Sequence, residues 1–337
     1  MTGYIGFQNN IPETAENKFN WVADNTGNLL FDNAIKKIID ADLITDIDKI
    51  SSEKYDAFIT TAFIWLRYND SSAEYDNYYT KLLSTVKEKP LIPMSVGIQS
   101  DEYDYNFKIY KNTVHILAKM SERCVLGVRG NYTAEILNKY GIKNMQVIGC
   151  PSAYYHFDYN FCIKNIVNPK NCCVNFKAFY GSLKEYEQKF LIFSAEKNFD
   201  FIEQNAFKLT EDMCEKKACL KINDWLADKT QVFFSVEKWI NYMYRFDFTM
   251  GYRFHGNIAA LYAGVPSLFI VTDSRTAEMC EFFKFPVLKA GMFETEKPLE
   301  YYAELADYTK FNKNYPVLID NFMEFCKINH ISLKNQP

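Results

Sequence analysis

Apolar residues along this chain alternate between two spacings: short runs without helical period, each followed by a longer stretch in which they recur every three or four positions. Residues 4–7 predict a first strand, and after a polar stretch ending at Asn25-Thr-Gly-Asn28 the spacing over 29–39 predicts an amphipathic helix. Residues 55–63 read as a β-rich run, and Tyr75, Tyr79, Leu82 and Val86 recur as one helical face. Residues 90–98 form a buried strand ending at a Gly turn; Phe107, Tyr110, Val114 and Leu117 mark the next helix. Another strand over 124–128 ends at Arg129, before a helix over 133–140 that Gly141 stops. Residues 145–148 complete an N-terminal βα array.

Periodicity lapses over 155–170, which places the domain junction there, and the alternation then begins afresh. Residues 172–176, 199–202 and 231–234 predict strands, 183–196 a helix, and Ser235 caps a helix carrying Trp239, Ile240 and Met243. Residues 248–252 read as a buried strand, Gly256 and Asn257 open an apolar helix through Ala263, Gly264 closes it and Pro266 forbids its continuation. A strand over 267–271 follows, with Asp273 or Ser274 capping a helix from about Thr276. Pro316 starts a last amphipathic helix through Phe325.

Strands alternating with helices predict an α/β fold with parallel sheets. A chain of 337 residues exceeds one ordinary core of about 150 residues. Two Rossmann-like lobes are expected, 1–160 and 161–310, with a cleft between them and 311–337 returning across the first lobe. The net charge of -4 argues against nucleic acid as a partner, since such proteins carry a basic face. Nine cysteines without a CxxC pair suggest neither a disulfide framework nor a zinc site, and point to a reducing cytoplasm. No apolar run approaches the roughly 18–20 residues needed to span a bilayer, although work at the inner face of the cell membrane stays open.

Candidate chemistry gathers at the ends of two successive strands, where Arg253 and His255 precede one helix and Asp273 and Arg275 open the next. Helix N-termini at the carboxyl edge of a parallel sheet attract anions. Arginine binds carboxylate or phosphate bidentately, and an ordinary histidine titrates near pH 6.5. Arg129 ends a strand of the first half in the same manner. Two apart on a strand, Arg253 and His255 would project to one side. Each residue also has a structural reading: a packed histidine, surface ion pairs for the arginines, a helix cap for Asp273. His115, His156 and His330 are read as structural or solvent-facing, and Cys172-Cys173 as strand packing.

The run Arg253-Phe-His-Gly-Asn-Ile-Ala-Ala-Leu-Tyr-Ala-Gly-Val-Pro266, followed by Asp273-Ser-Arg275, resembles the signature of the polysaccharide pyruvyl transferase family. Val96-Gly-Ile-Gln99, Gly127-Val-Arg129 and Val147-Ile-Gly-Cys-Pro151 resemble its N-terminal blocks, so that the likeness spans about residues 25–290. Two features depart from it: Asn25-Thr-Gly-Asn28 lacks the expected Asp, and Ala62-Phe-Ile-Trp65 stands where a Gly-rich turn is usual.

The resemblance implies two lobes arranged as in GT-B glycosyltransferases, and transfer of pyruvate from phosphoenolpyruvate to a sugar of a surface polysaccharide or its precursor, giving a ketal. His255 would then be general acid or base, with Arg253 and Arg129 holding the donor. Arg275, Gly256, Asn257 and Asp273 would complete the donor site. Glu278 is expected to orient Arg275, and no cofactor or metal is expected. The acceptor would be a glycan, free or lipid-linked. Two alternatives remain open at this point, a glycosyltransferase using a nucleotide-sugar donor and a catalytically silent glycan-binding relative.

Overall fold

In chain order the first lobe runs β1 (Thr2–Ile5), α1 (Ala15–Trp21), α2 (Asn28–Ile38), β2 (Asp42–Ile44), β3 (Ala57–Thr60), α3 (Ala73–Val86), β4 (Leu91–Pro93), α4 (Lys111–Ser121), β5 (Leu126–Val128), α5 (Asn131–Lys139) and β6 (Met145–Val147). The computed structural model describes residues 1–61, 66, 73–177, 182–205, 213 and 216–337. Ala62-Phe-Ile-Trp65 and the Tyr75 side chain lie outside the described residues. Strands β1 to β4 form a parallel sheet in the order β2-β1-β3-β4. It continues to the parallel pair β5-β6 through Val96, whose N–H donates to Gly127 O (2.9 Å) and whose carbonyl accepts from Arg129 N (2.8 Å).

The second lobe runs β7 (Cys172–Asn175), α6 (Glu185–Glu196), β8 (Asp200–Glu203), α7 (Lys216–Lys229), β9 (Thr230–Val232), α8 (Val236–Met243), β10 (Phe248–Gly251), α9 (Phe254–Tyr262), β11 (Ser267–Val271), α10 (Ser274–Phe283), β12 (Val287–Lys289), α11 (Leu299–Leu305) and α12 (Thr309–Ile328). Its strands pair in parallel in the order β12-β11-β10-β7-β8-β9. That is the doubly wound order, in which connections leave in opposite directions from the middle two strands and open a crevice at their carboxyl ends. Here those strands are β7 and β10, ending at Asn175 and Gly251. The architecture is the expected pair of Rossmann-like lobes with parallel sheets.

Several elements differ from the sequence pattern. Helices α1 and α7 and the short β2 fall in polar stretches, and 90–98 is a strand only over β4, with single bridges at Val96 and Ile98. Helix α12 starts at Thr309, well before Pro316, which sits inside it. The proline removes one backbone donor at a cost of about 3 kcal/mol. Phe311 and Tyr315 on the preceding turns are fully buried, and the Tyr315 hydroxyl donates to Ala153 O (3.1 Å), which offsets that cost.

Helix α12 straps the lobes together. Tyr308, just before it, exchanges hydrogen bonds with Ser267 on β11, accepting from its N–H (3.2 Å) and donating to its carbonyl (2.6 Å). At its far end Asn321 Nδ2 donates to Val147 O (2.8 Å) and Asn329 pairs with both backbone groups of Val125. The helix crosses from the second lobe to the outer strands of the first.

Candidate functional site

Asn175 ends β7 at the switch point, and its amide organises the turn after β10. Asn175 Oδ1 accepts Arg253 N–H (2.7 Å), its Nδ2 donates to Asn257 Oδ1 (2.8 Å), and Asn257 Nδ2 donates back to Gly251 O (2.9 Å). These bonds end the strand at Gly251, so α9 starts at Phe254. Arg253 is therefore a helix N-cap and His255 lies in the first helical turn, where the sequence places both on a strand. Asn257 is fully buried and spends its amide on this bracing, and Gly256 packs against the Asn175 amide and Gln204. The Asn257 side chain therefore has no free group to offer the cleft. Gly264, at φ 73°, takes the left-handed turn that closes α9.

Arg253 reaches the cleft with its back held: Nε donates to Phe176 O (3.0 Å), Nη2 donates to Asn205 Oδ1 and lies 3.7 Å from Glu203 Oε1. Asp273 caps α10 by accepting Thr276 N–H (2.7 Å) and sits 3.8 Å from Arg275 Nη2, which is about a quarter exposed. Arg275 is thus paired with Asp273. Glu278, which the sequence assigns to Arg275, turns to the other lobe and accepts from Thr133 N (3.0 Å) and Thr133 Oγ1 (2.7 Å). The reason is one of register: α10 presents Glu278 one turn below Arg275, against the N-terminus of α5, whose own cap residue Gly130 has no side chain to offer.

From the first lobe, Arg129 leaves the end of β5 and is buried, its Nε donating to both Ser95 O and Ser95 Oγ (3.0 Å each). Burial, with Arg275 next, lowers its pKa to about 10; it keeps its charge at neutral pH. The loop at Asn25-Thr-Gly-Asn28 meets the second lobe directly. Thr26 N–H donates to Gln204 O (2.8 Å), Asn205 Nδ2 donates to Asp24 O, and a Cβ on Gly27 would fall 2.9 Å from His255 Cβ. Only a glycine allows this approach.

His255 is where the two lobes' charges converge. Its ring lies beside Phe31 of the first lobe (6.0 Å between centroids), with Nε2 3.6 Å from Cys150 Sγ. Burial, then the positive charges of Arg129, Arg275 and Arg253, push its pKa down to about 3. At neutral pH it is an uncharged imidazole. The other histidines lie elsewhere: His115 and His330 are exposed, and His156 stacks on Phe161 (4.0 Å) with Nε2 3.0 Å from Tyr262 O.

Between the lobes opens a cavity of about 660 Å³, lined from the first by Gln99, Ser100 and Asp101 and from the second by Arg253, Asp273, Arg275, Tyr252, Thr272, Lys177 and Lys184; of the expected site residues, His255 and Arg129 lie behind this wall rather than on it. Ser100 and Ser274 close one side by three interlobe hydrogen bonds of 2.8–3.0 Å. Among the described residues no group of three or more His, Cys, Asp or Glu is arranged to hold a metal ion, and no helix is long and apolar enough to cross a membrane. Sequence reasoning missed Asn175, Glu203, Asn205, Lys177 and Lys184. A polar residue ending an apolar strand, as in Cys172-Cys-Val-Asn175, is the signal that could have found the first.

Two parallel-sheet lobes with an arginine-lined cleft at the switch point define a two-lobed α/β protein of the Rossmann-like class. The sequence profile of the polysaccharide pyruvyl transferase family matches residues 8–274, and the chain belongs to that family. No curated protein is similar to it at a significant level. Among solved structures it is similar to an uncharacterized protein from Klebsiella pneumoniae, at 12% identity and a TM-score of 0.46, over 85% of this chain and 93% of that one. It is also similar to the UDP-N-acetylglucosamine 2-epimerase of Rickettsia bellii, at 12% identity and a TM-score of 0.40, over 97% of each chain. The corresponding epimerase of Neisseria meningitidis gives 11% and 0.40, over 94% of this chain and 84% of that one.

Proposed function

We propose that the protein transfers the pyruvyl group of phosphoenolpyruvate to two hydroxyls of a sugar in a surface polysaccharide or its precursor. The observation that carries this reading is that Arg253 and Arg275 line one cavity between the lobes, with Arg129 buried at the end of the facing β5. Phosphoenolpyruvate presents a carboxylate and a phosphate within a few ångströms, and planar guanidinium groups match both. Arg129 and Arg253 hold the donor from opposite walls, and Arg275 at the N-terminus of α10 faces the leaving phosphate, where the helix dipole adds to its charge.

Ketal formation adds both sugar oxygens to C2 of the donor, protonates C3 to a methyl group and breaks the C2–O bond to phosphate. One hydroxyl proton ends on C3 and the other on the departing phosphate. With its pKa near 3, His255 in the free protein is neutral but too weak a base to take a proton from the attacking hydroxyl, and it gains that basicity only when the donor is bound. Once the anionic donor lies among the arginines, their repulsion is offset and the imidazolium becomes easier to hold, so the same ring returns the proton to C3.

The test is phosphate release from phosphoenolpyruvate by the purified protein, against free and lipid-linked hexose and N-acetylhexosamine acceptors, with UDP-, GDP- and CMP-sugars in parallel. Release that depends on acceptor and is lost in Arg253→Ala supports pyruvyl transfer. Nucleotide release instead assigns a glycosyltransferase.

A further inference from the structure

Glu203 ends β8 with its side chain 2% exposed. Its Oε1 accepts the backbone N–H groups of Gln204 (2.7 Å) and Asn205 (2.9 Å) and lies 3.7 Å from Arg253 Nη2. Its Oε2 is buried with no hydrogen-bond partner among the described residues. A carboxylate oxygen left so costs about 1–3 kcal/mol or more, because nothing replaces the water it has lost. Natural folds keep such a group where its charge does something. Here the charge backs an arginine that the proposed reaction needs.

Asn205, two residues on, ties the same arginine to the other lobe. It accepts from Arg253 Nη2 through Oδ1 and donates through Nδ2 to Asp24 O, in the loop that packs on His255. Among the described residues, Arg253 is the one charge acting on the titration of Glu203. Gln204 and Asn205 meet it through backbone N–H groups, and the first lobe reaches this point through Asp24 O and Thr26 N.

We propose that Glu203 is a positioning residue for Arg253, and that it takes up a proton when an anion occupies the guanidinium from the cleft side. With the cleft empty the Glu203 carboxylate is a counter-charge of Arg253. A bound carboxylate or phosphate supplies that counter-charge instead and, lying on the far side of the same guanidinium, repels the buried one. The group that then gives way is the carboxylate with an unpartnered oxygen, by protonation. Burial first of all, opposed by Arg253 and the two N–H groups, already raises the Glu203 pKa to about 7, so little further push is required. The identity of the anion as phosphoenolpyruvate rests on the function proposed above; the coupling itself requires only an anion at Arg253.

The experiment is titration calorimetry of phosphoenolpyruvate, and separately of inorganic phosphate, at pH 7.5 in two buffers of different ionisation enthalpy, which yields the protons taken up per anion bound. Wild type is expected to take up roughly half a proton more than Glu203→Gln. Asn205→Ser, which loosens the arginine but keeps the carboxylate, is expected to weaken binding several-fold with wild-type uptake retained. In turnover, Glu203→Gln is expected to raise KM for phosphoenolpyruvate about tenfold with kcat changed far less. Equal proton uptake in wild type and Glu203→Gln overturns the proposal.

If phosphate binds and phosphoenolpyruvate does not, the donor assignment fails while the phosphate comparison still decides the role of Glu203. Should Glu203→Gln not fold, infrared difference spectra of the wild type decide. A new protonated-carboxyl band on anion binding supports the proposal, and its absence overturns it.

Discussion

The Glu278 carboxylate of the second lobe caps an α-helix of the first by receiving both the N–H (3.0 Å) and the hydroxyl (2.7 Å) of Thr133. Thr133 Oγ1 in turn accepts Ile98 N–H (3.1 Å), so one carboxylate fixes the strand end and the helix start on either side of Arg129. A cap of this kind contributes about 0.5–2 kcal/mol within one helix. Placed between lobes, it also fixes where one wall of the cleft stands.

The capping carboxylate has a consequence for pH. Burial raises the Glu278 pKa to about 7, against the Thr133 bonds and Arg129, while the unfolded value is about 4.3. Between these values the folded state holds the extra proton, so the stability that Glu278 contributes falls as pH rises through about 4.3 to 7, by at most about 1.4 kcal/mol per unit. His255, with its pKa lowered to about 3, acts in the opposite sense below its unfolded value near 6.5. The difference between wild type and Glu278→Gln isolates the first term. Melting temperature measured from pH 5 to 7 is expected to decline less, or rise more, in Glu278→Gln than in wild type; parallel curves would contradict it.

His255→Ala is expected to lower kcat on the order of 100-fold, as loss of a general base does. In the free protein the imidazole resonances of His255 are expected to stay fixed between pH 8 and 5, because the ring is already neutral. Saturating phosphoenolpyruvate is expected to move the titration upward into that range. NMR of the protein with labelled histidine measures both.

Arg129→Lys keeps a charge and loses both the planar fork and the Nε–H that binds Ser95 O and Ser95 Oγ. Weaker phosphoenolpyruvate binding by tenfold or more is expected, with a loss of about 1–2 kcal/mol in stability from the unpaired Ser95 groups. Calorimetric binding and urea unfolding check the two effects.

Asn175→Ala removes the amide that joins Arg253 N to Asn257 Oδ1. Buried donors and acceptors left unpaired cost about 1–3 kcal/mol each. Stability is expected to fall by several kcal/mol, and donor affinity with it, whereas Asn175→Asp retains the bond to Arg253 N and loses less affinity. Unfolding and binding measured on both variants separate the roles.

Turnover is expected to survive millimolar EDTA, since arginines offer the positive charge that a divalent ion would otherwise supply to a leaving phosphate. Phosphate release with and without chelator measures it.

The alternation of periods made the parallel α/β fold legible, and an arginine just after an apolar run marked the ends of β5 and β10, whereas Asn175 and Glu203, which end β7 and β8, carried no such mark. Helix α1 was hidden because it buries no residue and so carries no apolar stripe, whereas α7 does space Cys219, Ile222, Trp225 and Leu226 along one buried face, a stripe legible among its lysines. The partner of Glu278 was hidden for another reason: Thr133 lies 145 residues away, and spacing along a chain carries no record of contacts across two lobes.

The sequence by itself determined which elements form and which side chains stand at the carboxyl edges of the sheets, because local period and chain breakers set both. It determined the family as well, through Arg253, His255 and the blocks around them. Only the tertiary structure decided what those side chains are. The docking of the lobes sets His255 against Gly27, Phe31 and Cys150 of the first lobe, and burial there keeps the imidazole neutral. Packing within the second lobe turns Asn257 from a ligand group into a brace and sets Glu203 behind Arg253. Charge and burial depend on everything within a few ångströms, and spacing along the chain does not record which residues those are.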